Sequence, residues 1–119
     1  MPTAKCKPAP VADKAALARL GAKVRARLKA DPAVYQVPCE QAEIFAMTEF
    51  LSAAECTRLI AIIDLVARPS PVYGGTDAEG YRTSYSGDVD PTDSFVKMIE
   101  RRICDLMGIE QSWSETFQG

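Results

Sequence analysis

Apolar residues recur at helical spacing in three stretches of the chain, which predict three helices. The first runs from about residue 12 to 30, the second from Ser52 to just before Pro69, and the third from about 91 to 107. The apolar residues that define the inward faces are Leu17, Leu20, Val24 and Leu28, then Leu59, Ile60, Ile63 and Val66, and finally Phe95, Ile99, Ile103 and Leu106.

Polar residues and breakers mark the ends of these helices. Asp13 begins the first helix, and Asp31-Pro32 ends it because a residue before proline avoids helical angles. Ser52-Ala53-Ala54-Glu55 is a capping-box pattern that opens the second helix. Asp90-Pro91 combines a capping aspartate with proline in the first turn, so it predicts the start of the third helix, and Gly108 ends that helix.

Strand patterns are short and lie between the helices. They cover Val34–Val37, Glu43–Phe50, Tyr81–Ser86 and Trp113–Phe117, and the second of these is expected to be buried on both faces. Residues 1–11 read as a loose tail, and residues 69–80, rich in Gly, Pro and Asp, read as a flexible loop. We therefore predict one domain over residues 12–119, of the α/β (α+β) class, with helices packed on a few strands.

The composition limits which catalytic and metal-binding sites this chain can form. The 119 residues carry a net charge of −2, include four cysteines without a CxxC pair, and contain no histidine. Without histidine there are no Ser-His or Cys-His nucleophile pairs and few options for a transition-metal site. No apolar run approaches the roughly 20 residues that cross a bilayer, and no signal peptide is recognisable, so we expect a cytoplasmic protein.

The first predicted helix is locally basic, with six cations: Lys14, Arg19, Lys23, Arg25, Arg27 and Lys29. Such charges are most often the solvated face of an amphipathic helix. Nucleic-acid or membrane contact is the alternative, but the overall acidity opposes it. We expect neither nucleic acid nor membrane as a partner.

Three segments, in order, resemble the catalytic domain of prolyl 4-hydroxylases. Phe50 to Ile60 (FLSAAECTRLI) is similar to the family pattern FLS-x-x-EC-x-x-LI, and Tyr81 to Ser84 (YRTS) is similar to its RTS strand. Ile99 to Cys104 (IERRIC) with the following Gly108, and then Ser114 to Gln118 (SETFQ), resemble the family helix and its SE-x-x-Q strand. The resemblance covers about residues 44–119.

This resemblance implies the N-terminal portion of a double-stranded β-helix (jelly-roll) oxygenase that uses Fe(II) and 2-oxoglutarate, with ascorbate as an accessory reductant, to hydroxylate a prolyl or other peptide residue. The family holds iron with two histidines and one aspartate from a later segment. We therefore expect this chain to be a fragment that is inactive alone, with no catalytic or metal-ligating residue of its own. Unpaired strands would favour a homodimer or oligomer. The resemblance places the loop before the RTS strand over the peptide substrate and Arg82 near the active site, and the alternative for Arg82 is a surface arginine on an exposed strand. Tyr73 and Tyr81 would stack on a proline ring or serve only in packing. Glu115 and Gln118 would face the jelly-roll interior, and all five residues are our candidates for substrate binding.

A second hypothesis comes from a different class of protein. The chain would then be a small non-catalytic α/β module for protein interaction, binding through its basic first helix and its Gly-rich loop. Stable monomeric folding of the 119 residues would favour the module, whereas aggregation would favour the fragment.

Overall fold

The computed structural model describes residues 13–69 and 84–119. Within these ranges the elements are α1 (Lys14–Ala30), β1 (Val34–Val37), β2 (Ile44–Met47), α2 (Ala53–Val66), β3 (Arg68–Pro69), β4 (Tyr85–Ser86), α3 (Ser94–Met107) and a 3₁₀ turn at Gln111–Trp113. In this part of the chain β1 pairs with β2 and β3 with β4, both antiparallel, in two separate sheets. The described part is thus a small α+β protein with three helices. The tail at 1–11, the loop from 70 to 80 and the start of the strand predicted at Tyr81–Ser86 lie outside the described residues.

The predicted helix ends are confirmed at most positions. The Asp13 carboxylate accepts a hydrogen bond from the Ala16 amide at 3.0 Å, and Asp31 has extended angles at the end of α1. Both halves of the capping box of α2 are formed, since Ser52 Oγ accepts from the Glu55 amide and Glu55 Oε1 accepts from the Ser52 amide. Gly108 ends α3 with φ of 67°, a left-handed conformation in which a side chain costs energy.

The start of α3 differs from the prediction. Asp93, not Asp90, is the N-cap, and its carboxylate accepts from the Phe95 and Val96 amides at 2.8 and 3.2 Å. The Asp90 carboxylate instead accepts from the amide and hydroxyl of Thr92 at 2.8 and 2.7 Å. Because these local hydrogen bonds form a turn before the helix, the helix begins later and Asp93 is its N-cap residue.

The predicted strand at Trp113–Phe117 is wrong. A 3₁₀ turn ends at Trp113, and both the amide and the hydroxyl of Ser114 donate to the Gln111 carbonyl, which bends the chain. Extended pairing begins only at the end, where Gln118 forms an isolated antiparallel bridge with Asp88.

The β1–β2 hairpin is less buried than the pattern predicts. Val34 lies opposite Met47 and Gln36 opposite Phe45, so these four residues share one face. The apolar members of this face are half-buried. The other face is more open, with Tyr35 at 60% exposure, so the expectation of burial on both faces is wrong.

The core is small and lies around α3. The buried apolar residues of the described part are Val89, Phe95, Val96, Ile99 and Cys104. The predicted inward positions Ile103 and Leu106 are half-buried, and Ile60, predicted inward on α2, is 58% exposed. No residue of α1 or α2 is fully buried. None of the described helices has the length and apolar character needed to span a bilayer.

Candidate functional site

An ion pair joins α3 to the first turn of α2. Arg102 Nη2 lies 2.8 Å from Glu55 Oε2, and Arg102 Nη1 donates to Glu55 Oε1 at 3.1 Å and to the Phe50 carbonyl at 3.0 Å. Both side chains are half-buried. Hydrogen bonds from Arg102 and then from the Ser52 amide lower the pKa of Glu55 from 4.5 to about 2, although burial opposes this shift. One carboxylate therefore caps α2 and holds α3 beside it.

Arginine–aromatic contacts extend this junction. The Arg58 guanidinium lies 4.4 Å from the centre of the Phe95 ring, and that of Arg102 lies 5.9 Å from the Phe50 ring. Both distances are within the range of a cation–π attraction. The junction follows Glu49, the one non-glycine residue of the described ranges with positive φ, at 56°. Arg102 of α3 thus contacts the turn between β2 and α2 through both the carbonyl and the ring of Phe50.

Two glycines, Gly87 and Gly119, allow two paired extended segments to pack closely against α2. The Gly87 amide donates to the Gly119 carbonyl at 2.8 Å, and the Gly119 amide donates to the Gly87 carbonyl at 3.1 Å. A Cβ atom at Gly87 would lie 2.5 Å from the Val66 carbonyl oxygen, and one at Gly119 would overlap the Ile63 side chain. At Gly87 the obstructing atoms belong to the main chain, whereas at Gly119 they belong to a side chain, so glycine matters most at position 87 for the close approach of the paired segments to the helix.

A cleft of about 540 Å³ lies beside this pair of glycines. Its lining residues are Val66, Arg68, Pro69, Ser86, Gly87, Asp88 and Gln118. The Gln118 amide donates to the Asp88 carboxylate at 3.3 Å across the cleft wall. A guanidinium, a carboxylate, an amide and a hydroxyl beside short strands suit the binding of a peptide, which offers matching donors and acceptors.

The predicted substrate residues are only partly brought together. Gln118 lines the cleft, whereas Glu115 is exposed outside its wall. Tyr73, Tyr81 and Arg82 lie outside the described residues.

The Arg102–Glu55 pair, Arg68 and Asp88 were missed by sequence reasoning. For Arg102 a signal exists, because it is a cation three residues after Ile99 on the apolar face of α3, and a charge there requires a partner. Arg68 and Asp88 offer no comparable signal.

The side chains do not suit the iron centre that the resemblance implies. The chain has no histidine, and among residues 13–69 and 84–119 no group of three His, Cys, Asp or Glu side chains is placed to hold a metal ion. The donor set of a two-histidine, one-carboxylate site is therefore not available from this chain.

The described residues form a small α+β protein in which an ion pair joins the start of α2 to α3 and a polar cleft lies at the other end of α2. In comparisons with known proteins, no family model, no curated protein and no solved structure matches the chain. The resemblance to prolyl 4-hydroxylases therefore depends on the three motif segments alone.

Proposed function

We propose that this chain is the N-terminal part of a prolyl 4-hydroxylase-type oxygenase domain, and that a segment beyond these 119 residues supplies the iron and 2-oxoglutarate sites. The intact domain would hydroxylate a peptide or protein substrate. The present chain would contribute the supporting helices and one wall of the substrate site, and it would be inactive alone.

The observation that carries the proposal is the Arg102–Glu55 pair. Glu55 belongs to the FLSAAEC segment and Arg102 to the IERRIC segment, 47 residues apart in the chain. Two of the three segments that carry the resemblance are thus bonded to each other through residues within the motifs themselves. The SETFQ segment is held differently, since its Phe117 carbonyl accepts from the amide of Val89 at 3.0 Å, a residue outside the three segments.

The surface of α2 supports a larger domain. Apolar residues occupy almost every side of this helix, yet none is fully buried, and Leu65 is 86% exposed. A helix that is hydrophobic nearly all round is normally found in the interior of a larger protein. A jelly-roll sheet packed on α2 would cover this surface, and it would extend the short pairing between residues 87–89 and 117–119.

The test begins with the protein in its native cells, captured with an antibody against α1 and weighed intact. The proposal expects a mass clearly above 12.9 kDa, the mass of this chain. The purified longer protein should then convert 2-oxoglutarate to succinate in the presence of Fe(II) and should stop doing so when the iron is chelated.

Two results would count against the proposal. A native mass of 12.9 kDa would favour the non-catalytic interaction module instead. A longer protein that binds neither Fe(II) nor 2-oxoglutarate would remove the assignment to the oxygenase family.

A further inference from the structure

The charges of the chain are strongly segregated. The first 30 residues contain eight Lys or Arg and one Asp, a net charge of +7, whereas the remaining 89 contain six Lys or Arg and fifteen Asp or Glu, a net charge of −9. The small total of −2 hides this asymmetry. A cationic end attached to an acidic body indicates an electrostatic partner for that end.

Most of the cations on α1 have no partner in the described part of the protein. Arg25 pairs with Glu43, and Arg27 donates to the Asp105 carbonyl at 3.3 Å through two nitrogens. The other cations of the helix are exposed and make no ion pair with the described residues; they are Lys14, Arg19, Lys23 and Lys29. Since α1 contains no acidic residue, nothing within the helix neutralises them.

The four cations lie on a helix face that is open to a partner. Between residues 14 and 29 the helix rises about 22 Å. The outermost positions between the cations are exposed alanines at 15, 18, 22 and 26. These short side chains allow a second helix to approach α1 closely along the row of alanines. The cations lie on both sides of this row, as charged residues lie on both sides of the apolar seam of a coiled coil.

We propose that this face of α1 binds an acidic helical segment of another polypeptide. Aspartate or glutamate at positions flanking the partner's contact line would meet Lys14 and Lys29 on one side and Arg19 and Lys23 on the other. Complementary charges of this kind contribute more to the specificity and the association rate of a complex than to its affinity. The surface is a property of α1 alone, so it does not depend on the oxygenase assignment.

Two other polyanions fit the face less well. A nucleic acid longer than the helix would meet the acidic body of the chain, and the outward face of α1 carries no aromatic residue on which a base could stack. A membrane-bound amphipathic helix inserts its apolar face, but Leu20, Val24 and Leu28 of α1 are half-buried within the protein.

The experiment measures binding of a fluorescein-labelled peptide of about 20 residues, composed of Glu, Ala and Leu with Glu at the flanking positions, since a helix of this length spans about 30 Å. We expect binding by the 119-residue chain, and no binding of the same peptide with every Glu replaced by Gln. The dissociation constant should rise steeply from about 0.01 M salt, where the Debye length is about 30 Å, to about 1 M, where it is about 3 Å.

Matched variants locate the surface. Arg19→Glu combined with Lys23→Glu should weaken binding by about tenfold or more, because like charges then face each other. Arg19→Gln with Lys23→Gln should give an intermediate loss. The control is Lys97→Glu with Arg101→Glu on α3, which changes the net charge equally at exposed positions and should leave binding within about twofold of the parent.

Circular dichroism verifies that each variant keeps its helices. The proposal is overturned if the acidic peptide does not bind or if the α1 and α3 variants weaken binding equally. It is also overturned if a DNA duplex of similar length or phosphatidylserine vesicles bind more tightly than the peptide.

Discussion

Gly87→Ala and Gly21→Ala should change the stability of the protein in opposite directions. At Gly87 the new methyl group would lie 2.5 Å from the Val66 carbonyl oxygen and 2.7 Å from its carbon, both main-chain atoms that cannot rotate away. Overpacking of this kind costs about 1–3 kcal/mol, of which about 0.4–1 kcal/mol is offset because alanine restricts the unfolded chain. We expect a net loss of about 1–2 kcal/mol in the free energy of unfolding.

Gly21 is the matched control within the same protein. It lies inside α1, and an added Cβ would find no heavy atom within 4 Å. Alanine in a helix interior is more favourable than glycine by about 0.5–1 kcal/mol, so this variant should be more stable than the parent. The two variants should differ by about 1.5–3 kcal/mol, although their chemical change is identical.

Urea unfolding followed by circular dichroism measures the difference. Slopes of about 1–3 kcal/mol per molar urea place the two midpoints about 0.5–3 M apart. If Gly87→Ala unfolds at the midpoint of the parent or above it, the segment at residue 87 does not lie against α2, and the assignment of the cleft wall is wrong. If Gly21→Ala is less stable than the parent, the face of α1 near residue 21 is covered.

Three further substitutions test the junction, the helix start and the core. The pKa of Glu55 is depressed to about 2, so the stability that its charge contributes is complete above its ordinary pKa of 4.5 and is lost as the pH falls towards 2. In a pH series of unfolding curves, the free energy of unfolding of the parent should therefore exceed that of Glu55→Gln at neutral pH and converge with it in acid. A difference that stays constant with pH would show that the charge is not responsible. Asp93→Ala should lower the stability measured in a thermal melt by about 1 kcal/mol, because two amides of α3 lose their acceptor. An unchanged stability would indicate that Asp90, and not Asp93, caps the helix. Ile99 is buried, so Ile99→Ala should lower the free energy of unfolding in urea by about 2–5 kcal/mol, whereas Leu65→Ala at an exposed position should lower it by less than about 0.5 kcal/mol. Equal losses of stability would mean that Leu65 is covered in solution.

Local chemistry allowed much of the helix pattern to be predicted. Asp13, Ser52 with Glu55, and Gly108 each act within a few residues of their own position, through hydrogen bonds or a backbone angle that their residue type favours. The β1 strand at Val34–Val37 is confirmed for the same reason, because prolines at 32 and 38 bound it on both sides.

The candidate site could be predicted only in part. Gln118 comes from the resemblance and lines the cleft, but its partner Asp88 lies 30 residues away. Glu55 is recognisable as a capping residue, whereas its pairing with Arg102 bridges 47 residues. No local rule specifies such distant pairs.

The sequence by itself determined most of the helix ends, the class of fold and the lack of histidine ligands in this chain, since these depend on residue type and on neighbours one turn away. Only the tertiary structure decided which apolar residues enter the core, where Phe95, Val96 and Ile99 are buried. It also placed Gly87 and Gly119 against α2 and left Ile60 and Leu65 exposed. Burial depends on what packs against a residue, and an apolar pattern gives the inward direction of a helix without specifying what covers it.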